Sequence, residues 1–148
     1  GAYIQYGQHR DSMLYTPEMS RRARSVELWA TLKFFGRKGI EILVDGLCDN
    51  ARLFAQELEK QEFHILNDIH FNQVLVSCGD DALTQAVLAE IQSGEVCWCG
   101  GSVWKGRSVI RISVCSWATT AQDVHISVKA FVDARTRALS KQTKKESK

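Results

Sequence analysis

Three groups of residues carry side chains able to do chemistry: an arginine within an apolar strand pattern, two cysteines separated by one residue, and several arginines ahead of a hydrophobic run. The arginine is Arg111, in Val109-Ile110-Arg111-Ile112-Ser113-Val114-Cys115. With a period of two, Ile110, Ile112 and Val114 share a uniformly apolar face, and Val109, Arg111, Ser113 and Cys115 take the other. A guanidinium on the face away from the covering layer either meets solvent or waits for an anion. Its planar fork suits a carboxylate, which it can grip through two parallel hydrogen bonds. Cys97 and Cys99 flank Trp98. Zinc usually takes four ligands and no second close Cys or His pair is near in sequence, so strand alternation is the simpler account of two Cys on one face. Arg21, Arg22 and Arg24 stand at the start of a helix pattern, where the backbone is already partly positive, and they need acidic partners. His9, His64, His70 and His125 show no nucleophile–base or ligand spacing.

The frame that must position these groups is of single-domain size. The chain has 148 residues, 45% hydrophobic and 24% charged, which is enough for a core and argues against disorder. There is no apolar run of 18 residues and no basic n-region before an apolar stretch, so no membrane span or secretory signal is expected and a cytoplasmic location is. Five Cys, an odd set scattered through apolar segments, read as reduced thiols. The net charge of +2 is uneven: four Lys and one Glu in 140–148 leave residues 1–139 at −1. That body gives nucleic-acid binding little support.

Residues 1–18 are polar, lack a helix or strand period and hold the only proline, Pro17; they read as a loop or arm. A helix opened by Glu18 or Ser20 runs to Gly36 and is apolar nearly all round, so it should be covered on more than one side. A long amphipathic helix follows from Arg37 to Gln61, with the pattern broken at Gly36–Gly39. Extended segments are expected at Phe63–Leu66 and Gln73–Cys78, then a helix capped by Asp80 or Asp81 that ends near Gln92. Val96–Cys99, Ser102–Trp104 and Ser108–Ser116 read as strands, with Gly100-Gly101 and Gly106-Arg107 between them, and Thr119 or Thr120 caps a last helix. The expected fold is α+β, split-βαβ-like: a small, mainly antiparallel sheet covered by helices on one face. Residues 19–139 form this domain and 140–148 a Lys-rich flexible tail.

Four stretches together carry a resemblance. Ser20–Ile40, the Asn72–Val76 strand, Cys97–Thr120 and Asp123 resemble the C-terminal region of pyridoxal-phosphate-dependent group II amino-acid decarboxylases. The Ser-Arg-Arg-x-Arg-Ser…Trp segment is similar to a helix of the aromatic amino-acid branch. The Arg-Ile-Ser-Val-Cys-Ser-Trp-Ala-Thr-Thr run resembles the final strand and helix cap of the glutamate branch. The resemblance implies the C-terminal domain of an aspartate-aminotransferase-like fold, with residues 1–18 connecting from a large upstream domain. That domain would hold pyridoxal phosphate on a Lys that follows a His; none of the nine Lys here follows a His, so no cofactor-binding residue is expected in this chain. In the parent the cofactor ring acts as electron sink while carbon dioxide leaves. Arg111 matches the family Arg that reaches toward the substrate carboxylate. The arm stands where the family has a loop whose Tyr protonates the substrate carbon afterwards; Tyr15 is the nearest candidate, with Tyr3 and Tyr6 as alternatives. The acidic partners of Arg21, Arg22 and Arg24 are then expected in the upstream domain.

A homodimer acting on an amino acid follows from the same resemblance, with the upstream domain as the chain's other partner and this piece inactive by itself. Two rivals keep the fold. A stand-alone ferredoxin-like binding module for single-stranded RNA needs clustered aromatics on its sheet, and the 109–115 strand offers none. A same-fold pyridoxal-phosphate enzyme with a different reaction is also compatible, because a carboxylate-binding Arg does not decide which bond breaks.

Overall fold

The computed structural model describes Tyr15 and residues 22–146. The expectations for the rest of the 1–18 arm, for the Glu18 or Ser20 cap, for Arg21 and for the end of the tail lie outside the described residues. The chain divides into two units, Gly1–Ile40 and Glu41–Lys148.

Helix α1 (Ser25–Lys60) spans the division and is interrupted at Gly36, whose φ of 59° and ψ of −178° are not helical. This is where the apolar pattern changes. In the first unit Val26, Leu28, Trp29 and Phe34 are exposed, so the helix that is apolar nearly all round carries large uncovered side chains. Arg22 forms a close ion pair with Glu27 in the same unit, so one of the three clustered arginines has its acidic partner within this chain.

The second unit contains the core. After α1 come β1 (His64–Ile65), β2 (Gln73–Ser77), α2 (Asp81–Gln92), β3 (Gly100–Trp104), β4 (Arg107–Ser113) and α3 (Ala121–Glu146). The sheet order is β1-β2-β4-β3, with every neighbouring pair antiparallel. Since β2 and β3 both run opposite to β4, they are parallel to each other, joined through α2 and held apart by β4. This is the split-βαβ arrangement.

Local chemistry sets the element ends. The Asp80 side chain accepts from the Leu83 backbone N–H at 2.8 Å and starts α2. Thr120 and Asp123 cap α3 reciprocally: the Asp123 carboxylate accepts from the Thr120 N–H at 2.8 Å, and the Thr120 hydroxyl accepts from the Asp123 N–H at 3.3 Å. The Thr120 hydroxyl, donating to the Asp123 carboxylate at 2.7 Å, and the Thr120 N–H together hold that carboxyl below the usual carboxylate range. Lys105 and Gly106, with φ of 48° and 78°, join β3 to β4 in a two-residue turn of positive φ that matches the twist of a hairpin.

Two strand expectations change. Val96–Cys99 is not a strand, and Gly100-Gly101 lies inside β3 instead of forming a turn. The approach of α2 is close here: a Cβ on Gly101 would stand 2.9 Å from Leu88 Cδ2, so the Leu88 side chain would have to shift. On β4, Ile110, Ile112 and Val114 are buried as the alternation requires, while Val109 on the opposite face is buried too. β4 is a central strand with neighbours on both sides, which gives Val109 cover that an edge strand would not.

The core joins the three helices to the inner face of the sheet. Phe131 of α3 is fully buried at its centre, edge-on to Phe54 of α1 at 5.8 Å between ring centroids and to Phe63 at 5.9 Å. Outside the core, Glu90 of α2 is gripped by Arg137 (3.1 Å) and by Lys141, which ties α2 to α3. Hydrogen bonds from Lys141 and Arg137 lower the Glu90 pKa. A carboxyl depressed in the fold stabilises it above the unfolded value, about 4.3, and this contribution is lost as pH falls through the folded value. Glu90→Gln is therefore expected to lower the thermal midpoint at pH 7 and to narrow its gap to wild type by pH 3, read by circular dichroism melts at low salt.

Candidate functional site

Arg111 forms the end rung of the β3–β4 ladder, opposite Gly100 on β3, and pairs with Leu75 on its β2 side. It is exposed, on the face turned away from the helices, with Ser113 and Cys115. Gly100 shapes its surroundings: a Cβ there would lie 3.7 Å from Arg111 Nη2 and 4.0 Å from Trp98 Cζ3. Both distances are ordinary van der Waals contacts, so Arg111 Nη2 and the Trp98 ring edge each stand beside the Gly100 backbone. Below it Gln73 donates to the Ser113 hydroxyl at 3.3 Å, linking β2 and β4 on the same face.

Among the described residues no carboxylate pairs with Arg111. A guanidinium presents five N–H donors, so this one has several to offer an anion. Arg107, four residues earlier on the same face, is committed: its Nη2 donates to the Gly79 carbonyl at 2.8 Å, fixing the turn after β2. The structure therefore distinguishes two arginines that the strand pattern alone treats alike.

Tyr15 is exposed and belongs to the first unit, whereas Arg111 belongs to the second, and each is described within its own unit. Tyr3 and Tyr6 lie outside the described residues. Trp98 is the neighbour that sequence reasoning missed. It is 74% exposed, and its segment, not being a strand, has no backbone period that marks it.

Cys97, Trp98 and Cys99 border a cavity of about 210 Å³ together with Cys115, Asp123 and Ser127. Cys97 and Cys99 interact through their thiols. The hydrogen bond from Cys99, with another from Ser127, brings the Cys97 pKa down to about 7 and pushes that of Cys99 up. Cys78, by contrast, is pushed up to about 11 by burial.

A pyridoxal phosphate site needs a lysine amine in a pocket. No lysine borders this cavity or the two others, beside Glu90 and beside Leu88. Lys60 and Lys141 are in ion pairs with Glu57 and Glu90, and Lys105 lies over Trp104.

The family model described as pyridoxal-dependent decarboxylase conserved domain matches residues 2–78. Rat (Rattus norvegicus) histidine decarboxylase is 31% identical over 121 residues, which is 80% of this chain and 18% of that enzyme. The chain thus spans under a fifth of the rat enzyme's length. Among solved structures, Catharanthus roseus tryptophan decarboxylase in complex with L-tryptophan superposes with a TM-score of 0.72 at 17% identity, over 80% of this chain and 26% of that one. Mouse CSAD in apo form gives 0.73 at 16% identity, over 89% and 32%. These likenesses establish the fold, which is that of one part of the aspartate-aminotransferase-like subunit.

Proposed function

Because the chain belongs to the pyridoxal-dependent decarboxylase family, we propose that it is the C-terminal domain of a pyridoxal-phosphate-dependent amino-acid decarboxylase in which Arg111 holds the substrate carboxylate. The observation that carries this reading is Arg111 itself: a guanidinium on the helix-free face of a central strand, bordered by glycine and tryptophan, with no carboxylate partner among the described residues. Two parallel N–H···O bonds from its fork would fix both the position and the plane of a carboxylate, which a lysine cannot do. Orientation of that kind is worth several kcal/mol to a reaction in a closed site.

The cofactor and its lysine belong to an upstream domain in this proposal, as does the cover for Val26, Leu28, Trp29 and Phe34. A second copy of the subunit is the other partner. Tyr15 is the proposed proton donor to the substrate carbon after carbon dioxide has left. Histidine decarboxylase and tryptophan decarboxylase among the relatives support an amino-acid substrate. The five free cysteines support the reducing cytoplasm as the compartment. No helix among the described residues is long and apolar enough to cross a membrane.

The test compares this chain with a longer polypeptide extended upstream through a cofactor-binding domain. Carboxyl-labelled amino acids and pyridoxal phosphate should yield labelled carbon dioxide only with the longer protein. With the chain alone, borohydride should leave no stoichiometric adduct on a single lysine. Such an adduct, or gas release by the chain alone, would overturn the reading.

A further inference from the structure

We propose that Cys97 and Cys99 form a reversible thiol–disulfide site, in which a peroxide oxidises Cys97 and Cys99 closes the bridge. This site is separate from carboxylate binding and stands whether or not the decarboxylase reading holds. Geometry places it. The two cysteines flank Trp98 in the segment leading into β3, where their thiols meet each other and the Ser127 hydroxyl of α3. Both border the same cavity of about 210 Å³, several times the roughly 30 Å³ share of one water, so a small peroxide can enter. Cys97 is half-buried and Cys99 is only 4% exposed, which leaves Cys97 as the sulfur an oxidant reaches first.

The surroundings divide the labour. Hydrogen bonds from the Cys99 thiol and from Ser127 lower the Cys97 pKa and so favour its thiolate, which is the nucleophile. Cys99 keeps its proton. The other titratable groups bordering the cavity are Cys115 and Asp123, beside the hydroxyls of Ser113, Ser116 and Thr119; Asp123 is engaged in capping α3. Among the described residues no cluster of three or more His, Cys, Asp and Glu could hold a metal ion, so metal binding does not compete for the pair.

The chemistry balances with a peroxide as oxidant. The Cys97 thiolate attacks one peroxide oxygen, the O–O bond breaks, and hydroxide leaves as Cys97 becomes a sulfenic acid. The Cys99 sulfur then attacks the Cys97 sulfur; the S–S bond forms, the S–O bond breaks, and the departing hydroxide takes the Cys99 proton as water. The two thiols are oxidised by two electrons and the peroxide is reduced. Two residues of extended chain span about 7 Å, at the upper edge of what a disulfide bridges. Closing the bridge must tighten the segment and shift Trp98, the ring beside Gly100 and Arg111. A bridge of this kind is readily reduced by dithiols.

The experiment exposes the 148-residue chain to hydrogen peroxide, blocks remaining thiols with an alkylating agent and maps peptides by mass spectrometry. The Cys97–Cys99 peptide should be the first to lose two hydrogens, and dithiothreitol should restore it. In Cys99→Ser, dimedone should trap a sulfenic acid on Cys97. Independently of any variant's folding, wild-type Cys97 should be alkylated by iodoacetamide at pH 7 several-fold faster than Cys115. Oxidation or alkylation of Cys48, Cys78 or Cys115 ahead of Cys97, or a Cys97–Cys99 peptide that stays reduced while others oxidise, would falsify the proposal.

Discussion

Arg111→Ala, made in the longer polypeptide, is expected to lower kcat/KM for decarboxylation by roughly 100-fold, about 3 kcal/mol of lost binding to the reacting state. The figure is that for truncating one partner of a desolvated, hydrogen-bonded charge pair, about 2–5 kcal/mol. Arg111→Lys should recover only part of it, because a single ammonium replaces the charge but not the two-point grip. The same change in the isolated chain should leave stability within about 0.5 kcal/mol of wild type. The reason lies in the structure: Arg111 is exposed and no acidic side chain among the described residues depends on it. Steady-state kinetics on the longer protein and urea unfolding of the short one together separate the two roles. A large stability loss with unchanged kinetics would make Arg111 a structural residue and remove the main support for the proposed function.

Phe131→Ala should do the reverse. Phe131 is wholly buried and holds Phe54 and Phe63 edge-on at 5.8 and 5.9 Å, so it joins α3 to α1 and to the chain entering β1. Truncating a core phenylalanine costs about 3–5 kcal/mol through lost transfer energy and the cavity left behind. Against a total of about 5–15 kcal/mol for a typical domain, that is enough to leave much of the population unfolded under mild stress. The urea midpoint should fall sharply with the slope unchanged. Phe131→Leu, which retains much of the volume, should lose clearly less. Equal losses from both would mean that the cluster acts through ring–ring geometry and not through the space it fills.

Which parts of this arrangement could be read from the residues depends on whether the deciding interaction is local. The inward set Ile110, Ile112 and Val114 was legible because a strand's period is a property of the backbone, and Arg111 fell on the opposite face by the same rule. The Asp80 and Thr120–Asp123 caps were legible for a similar reason, since they act within one helical turn. Gly100-Gly101 was not. A glycine pair serves a turn and a close-packed strand equally well, and only the position of Leu88, on another element, decides for the strand. The pairing of Arg22 with Glu27 was in reach at five residues' separation, but a helix start rich in arginine drew attention to distant partners instead. For Cys97 and Cys99 strand alternation predicts a shared face, but the segment is not a strand, so the cavity that both border was not legible that way. Nor was their contact with Ser127, because α3 begins more than twenty residues later. The distinction between Arg107 and Arg111 likewise depends on the Gly79 carbonyl, brought alongside by the fold.

The split arrangement of the sheet also governs the order in which the domain can be made. β2 and β3 precede β4 in the chain yet pair with it and not with each other. As the polypeptide leaves the ribosome, β2, α2 and β3 therefore have no complete sheet to join, and the edge of β2 that pairs with β4 stays open until residues 107–113 emerge. The strand that bears Arg111 is thus the keystone of assembly: the last laid, in the middle, and the one that locks both neighbours. Long-range pairing of this kind is slow, and partly made chains with open strand edges are prone to aggregate. A stalled or truncated product ending before β4 should accordingly be cleared or aggregate instead of persisting as a smaller folded domain.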